Sequence, residues 1–184
     1  MALRIYEQGA NVAEGILLST DRCIIRKALL SDARFIIQLL NQNSFIDNIG
    51  DKNVFDIPSA NEYIQKSFLT PYQSGLTAPY IVCLHTGEPI GVAGFYQRPY
   101  LKAPDLGYAF IDRFTGQGFA LESCRSLMDF AKTALLLPAV NAITDLSNAG
   151  SQKLLIKLGF TGVGFLQVDP NNKPVKLFTH DLAD

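Results

Sequence analysis

Near Asp112 the chain changes its hydrophobic period, and two glycines sit at the change. The stretch from Leu106 to Leu137, LGYAFIDRFTGQGFALESCRSLMDFAKTALLL, begins as a strand. It continues with Ala120, Cys124, Leu127, Met128, Ala131 and Leu135 on one helical face. A loop carrying Gly116 and Gly118 thus joins a strand end to a helix start. First-turn amides lack partners within their helix, and the summed peptide dipoles favour an anion beside them. Glycine also lets bulky phosphates approach the backbone, so the site suits a phosphate group. A tight strand-to-helix turn without a ligand would use the same two glycines.

The spacing, R-x-x-G-x-G from Arg113, narrows the choice. A dinucleotide fingerprint needs a third glycine where Leu121 stands and normally follows the first strand. A Walker loop ends in Gly-Lys-Ser/Thr, whereas Gly118 precedes Phe119 and Ala120. Neither reading fits.

The 184 residues suit one domain, residues 1–184, with residues 1–20 as an irregular lead-in or an edge element. A 48% hydrophobic content, a formal net charge of −1 and scattered basic residues exclude a disordered or nucleic-acid-coating chain. Cys23, Cys83 and Cys124 are odd in number and embedded in apolar patterns, as expected of buried thiols in a reducing compartment. His85 and His180 are the only histidines and there is no C-x-x-C, so no metal is expected. No export signal is visible, and the apolar run Ala134 to Val140 falls far short of the roughly 20 residues of a membrane span. A soluble cytoplasmic protein without membrane or nucleic-acid partners is the expectation.

Along the chain, Cys23 to Lys27 reads as a strand, followed by a helix capped by Ser31 or Asp32 and carrying Phe35, Ile36, Leu39 and Leu40. Asn43 to Pro58 is polar, without period, and reads as a loop. Ser59 and Glu62 form a capping box for a second helix that runs to about Leu69 and is ended by Pro71 and Gly75. Strands follow at Pro79 to His85, Pro89 to Gln97 and Asp105 to Asp112, then the central helix. A buried strand spans Val140 to Asp145, and Ser147 or Asn148 caps a helix stopped by Gly159. Two last strands flank the turn-forming Asp169 to Asn172.

This order, together with the R-x-x-G-x-G loop, resembles the GCN5-related N-acetyltransferase (GNAT) superfamily. A second motif sharpens the likeness. Asn148, Ala149, Gly150 and Ser151, followed by Leu154, Lys157, Leu158, Gly159 and Phe160, are similar to the N-x-x-S-x-x-x-L-x-K-L-G-F signature of its ribosomal-protein-alanine (RimJ/RimL-type) branch. Gly107-Tyr108 and Gly116-Gln117-Gly118-Phe119-Ala120 with Glu122 also resemble that branch. Thr115 and Gln117 depart from its usual tryptophan and basic residue. The resemblance implies an α+β fold with a mixed, mostly antiparallel central sheet flanked by helices, the acyl-CoA N-acyltransferase fold.

By the same resemblance the co-substrate is acetyl-CoA. Its diphosphate would lie on the loop of Arg113, Phe114, Thr115, Gly116, Gln117, Gly118, Phe119 and Ala120, and its pantetheine arm along the backbone of Phe110 and Ile111. Arg113 has a second reading as a surface cation that only attracts the anionic co-substrate. Asn148 would contact the arm, and Ser151 would lie near the sulfur, where a hydroxyl can protonate the departing thiolate. A plain helix cap explains the same two residues. Asp105 would orient the acceptor amine or collect its proton; a turn aspartate after Pro104 is the alternative. Glu122 and Lys157 are explained by the helix dipole alone. No histidine accompanies a recognisable nucleophile, so a covalent triad is not expected.

The implied reaction is direct attack of a primary amine on the acetyl thioester. The acceptor is a protein N-terminal α-amine by family likeness, or a small molecule such as an amine or antibiotic. Asn43 to Pro58 and the hairpin ends would line its cleft. A catalytically inert acyl-CoA-binding domain is the rival reading. The sequence leaves oligomeric state open, a homodimer included.

Overall fold

The structure is a computed structural model, and it describes residues 15–75, 77–168 and 173–183. One eight-stranded sheet runs in the order β1-β2-β3-β4-β5-β6-β8-β7. Its strands are β1 (Ile16–Ser19), β2 (Cys23–Arg26), β3 (Pro79–Leu84), β4 (Pro89–Tyr96), β5 (Asp105–Phe110), β6 (Ala139–Asp145), β7 (Thr161–Leu166) and β8 (Val175–Asp181). Every neighbouring pair is antiparallel except β5 and β6. Residues 16–19 of the expected lead-in form β1 at the sheet edge. The expected turn at Asp169 to Asn172 lies outside the described residues.

Two apolar layers cover the sheet. On one face α5 (Phe119–Thr133) buries Cys124, Leu127, Met128 and Ala131, and α6 (Ala149–Lys157) adds Leu155. On the other, α1 (Ala33–Leu40) brings Phe35, Ile36, Leu39 and Leu40, and α3 (Ile57–Ile64) adds Ala60 and Ile64. The central strand β4 is buried over six consecutive residues, as a strand covered on both faces must be.

Four local expectations are corrected. Asn43 to Pro58 is not a loop: it holds α2 (Asn43–Ile49), whose one buried residue is Phe45. A helix that buries so little leaves no hydrophobic period to read. The second capping box lies three residues earlier than expected, with Asp56 as N-cap accepting from the Ser59 amide and Ser59 as its third helical residue. Pro71 does not end that helix. After α3 come a π-helical turn, Gln65–Leu69, and α4 (Thr70–Gln73), so the chain stays helical through Pro71, the π turn directly preceding the residues where proline withholds its N–H. Finally, neither Ser31 nor Asp32 caps α1 through its side chain. Asp32 instead accepts both guanidinium nitrogens of Arg26, at 2.8 and 2.7 Å.

Candidate active site

The parallel pair β5 and β6 meets at a single register point, Asp105 opposite Asn141, and beyond it the strands part. The Ile111 amide donates to the Ile90 carbonyl, which fixes the alternation along β5. Residues 107 and 109 therefore bond to β4, while the amide and carbonyl of Tyr108 and the amide of Phe110 point into the opening; the Phe110 carbonyl on the same side accepts from Gln42 Nε2 at 3.3 Å. Ile111 is excluded from that edge: its amide is taken by Ile90 and its carbonyl by the Phe114 amide. A cleft of about 900 Å³ fills the opening and runs from the glycine loop to Tyr96 and Arg98.

At one end Gly116 and Gly118 have φ of +73° and +87°, values that only glycine adopts readily. Gly118 is the N-cap of α5 and supplies no side-chain acceptor, so the first-turn amides of that helix are uncapped. Phe114, Thr115, Gly116, Gly118 and Ala120 line the cleft. Arg113, Gln117 and Phe119 do not. Arg113 pairs with Glu88 at 2.5 Å and stacks on Phe114, Gln117 donates to the Arg113 carbonyl, and Phe119 is buried in the core.

A second cation at the loop was not legible in the motif. Arg22, from the turn between β1 and β2, donates to the Gln117 carbonyl at 3.0 Å and lies over the Phe119 ring at 4.4 Å. Glu122 holds it there through a 2.6 Å ion pair and also accepts from Thr20 and the Arg22 amide. Burial of the Glu122 carboxyl is outweighed by these donors, and its pKa falls below the ordinary glutamate value.

At the middle of the cleft α6 begins. Asn148 caps it by accepting from the Ser151 amide at 2.9 Å. Tyr108 reaches across from β5, with its hydroxyl 2.7 Å from Ser151 Oγ and donating to the Ser151 carbonyl at 3.3 Å. Burial raises the Tyr108 pKa, so this phenol keeps its proton at neutral pH. Two exchangeable hydroxyl protons thus stand where the strands have separated. Tyr108 was read only as part of a family block; its side-chain role depends on the β5–β6 divergence.

At the far end Asp105 has a side chain only 2% exposed, and its Oδ1 accepts from Arg98 Nε at 2.7 Å. Burial raises the Asp105 pKa and the Arg98 guanidinium opposes the rise. Arg98 also donates to the Tyr100 hydroxyl at 3.2 Å. Tyr96 packs beside this pair and over Gly107, where a Cβ would fall 2.6 Å from its ring, so the Gly107-Tyr108 sequence makes room for that ring. Lys52, Asn48 and Phe45 complete the wall. Part of the segment Asn43 to Pro58, helix α2 and Lys52 after it, lines this cleft.

The profile of the "Acetyltransferase (GNAT) domain" family matches residues 22–161. The chain is 29% identical over 153 residues to "Uncharacterized N-acetyltransferase YoaA" of Bacillus subtilis, covering 82% of this chain and 86% of that protein. It is 28% identical over 151 residues to "Uncharacterized N-acetyltransferase p20" of Bacillus licheniformis, covering 82% and 85%. Among solved structures, RimL, a ribosomal alpha-N-protein acetyltransferase in complex with coenzyme A, superposes with a TM-score of 0.77 at 20% identity, covering 88% of this chain and 95% of that one. The microcin self-immunity acetyltransferase MccE, in complex with acetyl-CoA and AMP, gives 0.76 at 20%, covering 88% and 93%. The open strand edge and uncapped helix start thus occur in a chain that belongs to the GNAT acetyltransferase family and is an acetyl-transferring enzyme.

Proposed function

We propose that the protein moves an acetyl group from acetyl-CoA to a primary amine by direct attack, with a protein N-terminal or other α-amine as acceptor. The observation that carries this reading is the cleft itself: a strand edge open at Tyr108 and at the Phe110 amide leads to an uncapped helix start at Gly118. An extended amide-bearing arm can pair with that edge as an added strand, and a diphosphate can accept the first-turn amides. The residues present therefore fit coenzyme A. Phe110 stays in the proposed arm contact and Tyr108 replaces Ile111, whose backbone is engaged. In the loop the contact falls to Thr115, Gly116, Gly118 and Ala120, while Arg113 acts at a distance as a surface charge. Acetyl-CoA supplies the activated acetyl group and a thiol that leaves.

The chain's own groups take the protons. Ser151 Oγ, 2.7 Å from the Tyr108 hydroxyl, protonates the leaving thiolate and is resupplied by Tyr108. Asp105 orients the amine or takes up its proton through the carboxylate oxygen that Arg98 leaves open. An α-amine of pKa about 8 is roughly a tenth neutral at pH 7, whereas a lysine near 10.4 is neutral only about once in 2,500 molecules. One buried carboxylate shared with an arginine suits the first task better. The similarity to RimL, whose name describes α-amino acetylation, supports the same lean, and three buried free thiols suit a reducing cytoplasm.

Calorimetric titration with acetyl-CoA, beside an analogue lacking the diphosphate, tests the co-substrate site; thiol release across a panel of amines tests transfer. Tight binding that depends on the diphosphate, followed by amine-dependent thiol release, is expected. Binding that ignores the diphosphate would remove the loop assignment. Binding without release for any amine would favour the inert acyl-CoA-binding reading.

A further inference from the structure

The end of the cleft remote from the glycine loop carries more positive than negative charge. Asp105, Arg98 and Lys52 line it. The one carboxylate there is already shared with the Arg98 guanidinium. Lys52, on the rim after α2, is in no ion pair or hydrogen bond among the described residues. Lys52 is exposed at this rim, and desolvation, followed by the charge of Arg98, lowers its pKa. Lys52 is badly placed to serve a diphosphate. Asp105, beside Arg98, and the glycine loop stand at opposite ends of β5, Asp105–Phe110, on the order of 16 Å apart at about 3.3 Å per residue.

We propose that this end of the cleft selects an amine acceptor carrying a carboxylate close to its amino group, the amine facing Asp105 and the carboxylate facing Arg98 and Lys52. A salt-bridged Arg98–Asp105 pair presents adjacent donor and acceptor, the complement of an adjacent ammonium and carboxylate. Lys52 supplies the charge that the internal pair lacks. A polyamine would instead meet an unbalanced cation in a partly desolvated site. Two sources share the required chemistry, a free α-amino acid and a peptide whose first residue has an acidic side chain. The inference rests on the acetyl-transfer reading and adds a substrate class to it.

Initial rates of thiol release from acetyl-CoA, each divided by the neutral-amine fraction of its acceptor at the assay pH, are compared within matched acceptors: alanine against alaninamide, a tripeptide beginning with glutamate against one beginning with glutamine, and spermidine alone. The carboxylate member should lead in kcat/KM by about tenfold in at least one pair, and the pair that leads identifies the source. Lys52→Arg should keep that ratio, and Lys52→Glu should bring it to about one or invert it. Equal rates within both pairs, a preference for spermidine, or a ratio unmoved by Lys52→Glu overturns the inference. Calorimetric binding of the same acceptors to protein saturated with coenzyme A reads the preference without turnover. Selective binding of the carboxylate members without transfer to any acceptor would refute acetyl transfer and support the selectivity; binding without preference would refute the selectivity.

Discussion

Removing the Arg98 guanidinium has a cost that the geometry bounds at each pH. The Asp105 side chain is 2% exposed, with its Oδ1 2.7 Å from Arg98 Nε. In Arg98→Ala the folded protein either keeps that charge buried without its partner, at about 3–5 kcal/mol, or takes up a proton. Protonating an aspartate of ordinary pKa about 3.9 costs about 1.36 kcal/mol per pH unit above it, so about 4 kcal/mol at pH 7 and about 1.5 kcal/mol at pH 5. The variant follows whichever is smaller. In the wild type, burial already holds the Asp105 pKa above its ordinary value and Arg98 limits the rise. A carboxyl with a raised folded pKa gives stability that is fully present below the unfolded pKa and lost as pH rises through the folded one. Without Arg98 that loss continues to higher pH, so the two proteins diverge as pH climbs above about 4. Urea unfolding should show a deficit of about 3–5 kcal/mol at pH 7.5 and at most about 1.5 kcal/mol at pH 5. Arg98→Ala combined with Asp105→Asn should recover most of it at pH 7.5, because no charge is then buried. A deficit independent of pH, or a double variant as unstable as the single one, would refute the reasoning.

Ser151→Ala should lower kcat about a hundredfold with little change in acetyl-CoA affinity or unfolding free energy, because the cap uses the Ser151 amide and not its hydroxyl; stopped-flow thiol release and calorimetry separate the two. Gly118→Ala should lose about 1–2 kcal/mol of stability from its φ of +87°, whereas Gly118→Glu should in addition abolish measurable acetyl-CoA binding by placing a carboxylate at the diphosphate position. Glu122→Gln should cost about 1–3 kcal/mol at pH 7, since the carboxylate accepts from Thr20 and twice from Arg22. The Glu122 pKa is depressed, so its contribution is present above the unfolded value and lost as pH falls through the folded one; thermal melts of the two proteins should converge below about pH 4.

What could be read from the sequence was whatever repeats over short distance. The period change at Gly116 and Gly118, the strand from Val140 to Asp145 and the Asn148 cap are each written within a dozen residues, and each appears in the structure. The misplaced capping box shows how such local reading fails. Asp56 to Ser59 and Ser59 to Glu62 have the same spacing, and only Pro58, which suits a first turn, distinguishes them. Helix α2 was illegible for another reason: Phe45 is its single buried residue, so tertiary contact and not amphipathic pattern holds it.

The site divides along the same line. The glycine loop was legible in motif and order and the β5 edge was implied by the family resemblance, while the alternation shows the Ile111 backbone engaged and that of Tyr108 turned to the opening. Side-chain partners arriving from elsewhere in the chain left no trace in the motifs. Arg22 reaches the glycine loop from 95 positions away, and Tyr108 meets Ser151 across 43. Arg98 is the instructive case, because it lies only seven positions from Asp105. Its pairing depends on the β4–β5 register that sets Tyr96 opposite Asp105 and on the connection that turns Arg98 back toward the strand. Read as a lone carboxylate, Asp105 looks like a free base. Read with Arg98 and Lys52, it belongs to a cationic end of the cleft, and under the proposed selectivity the acceptor's own charge becomes part of the recognition.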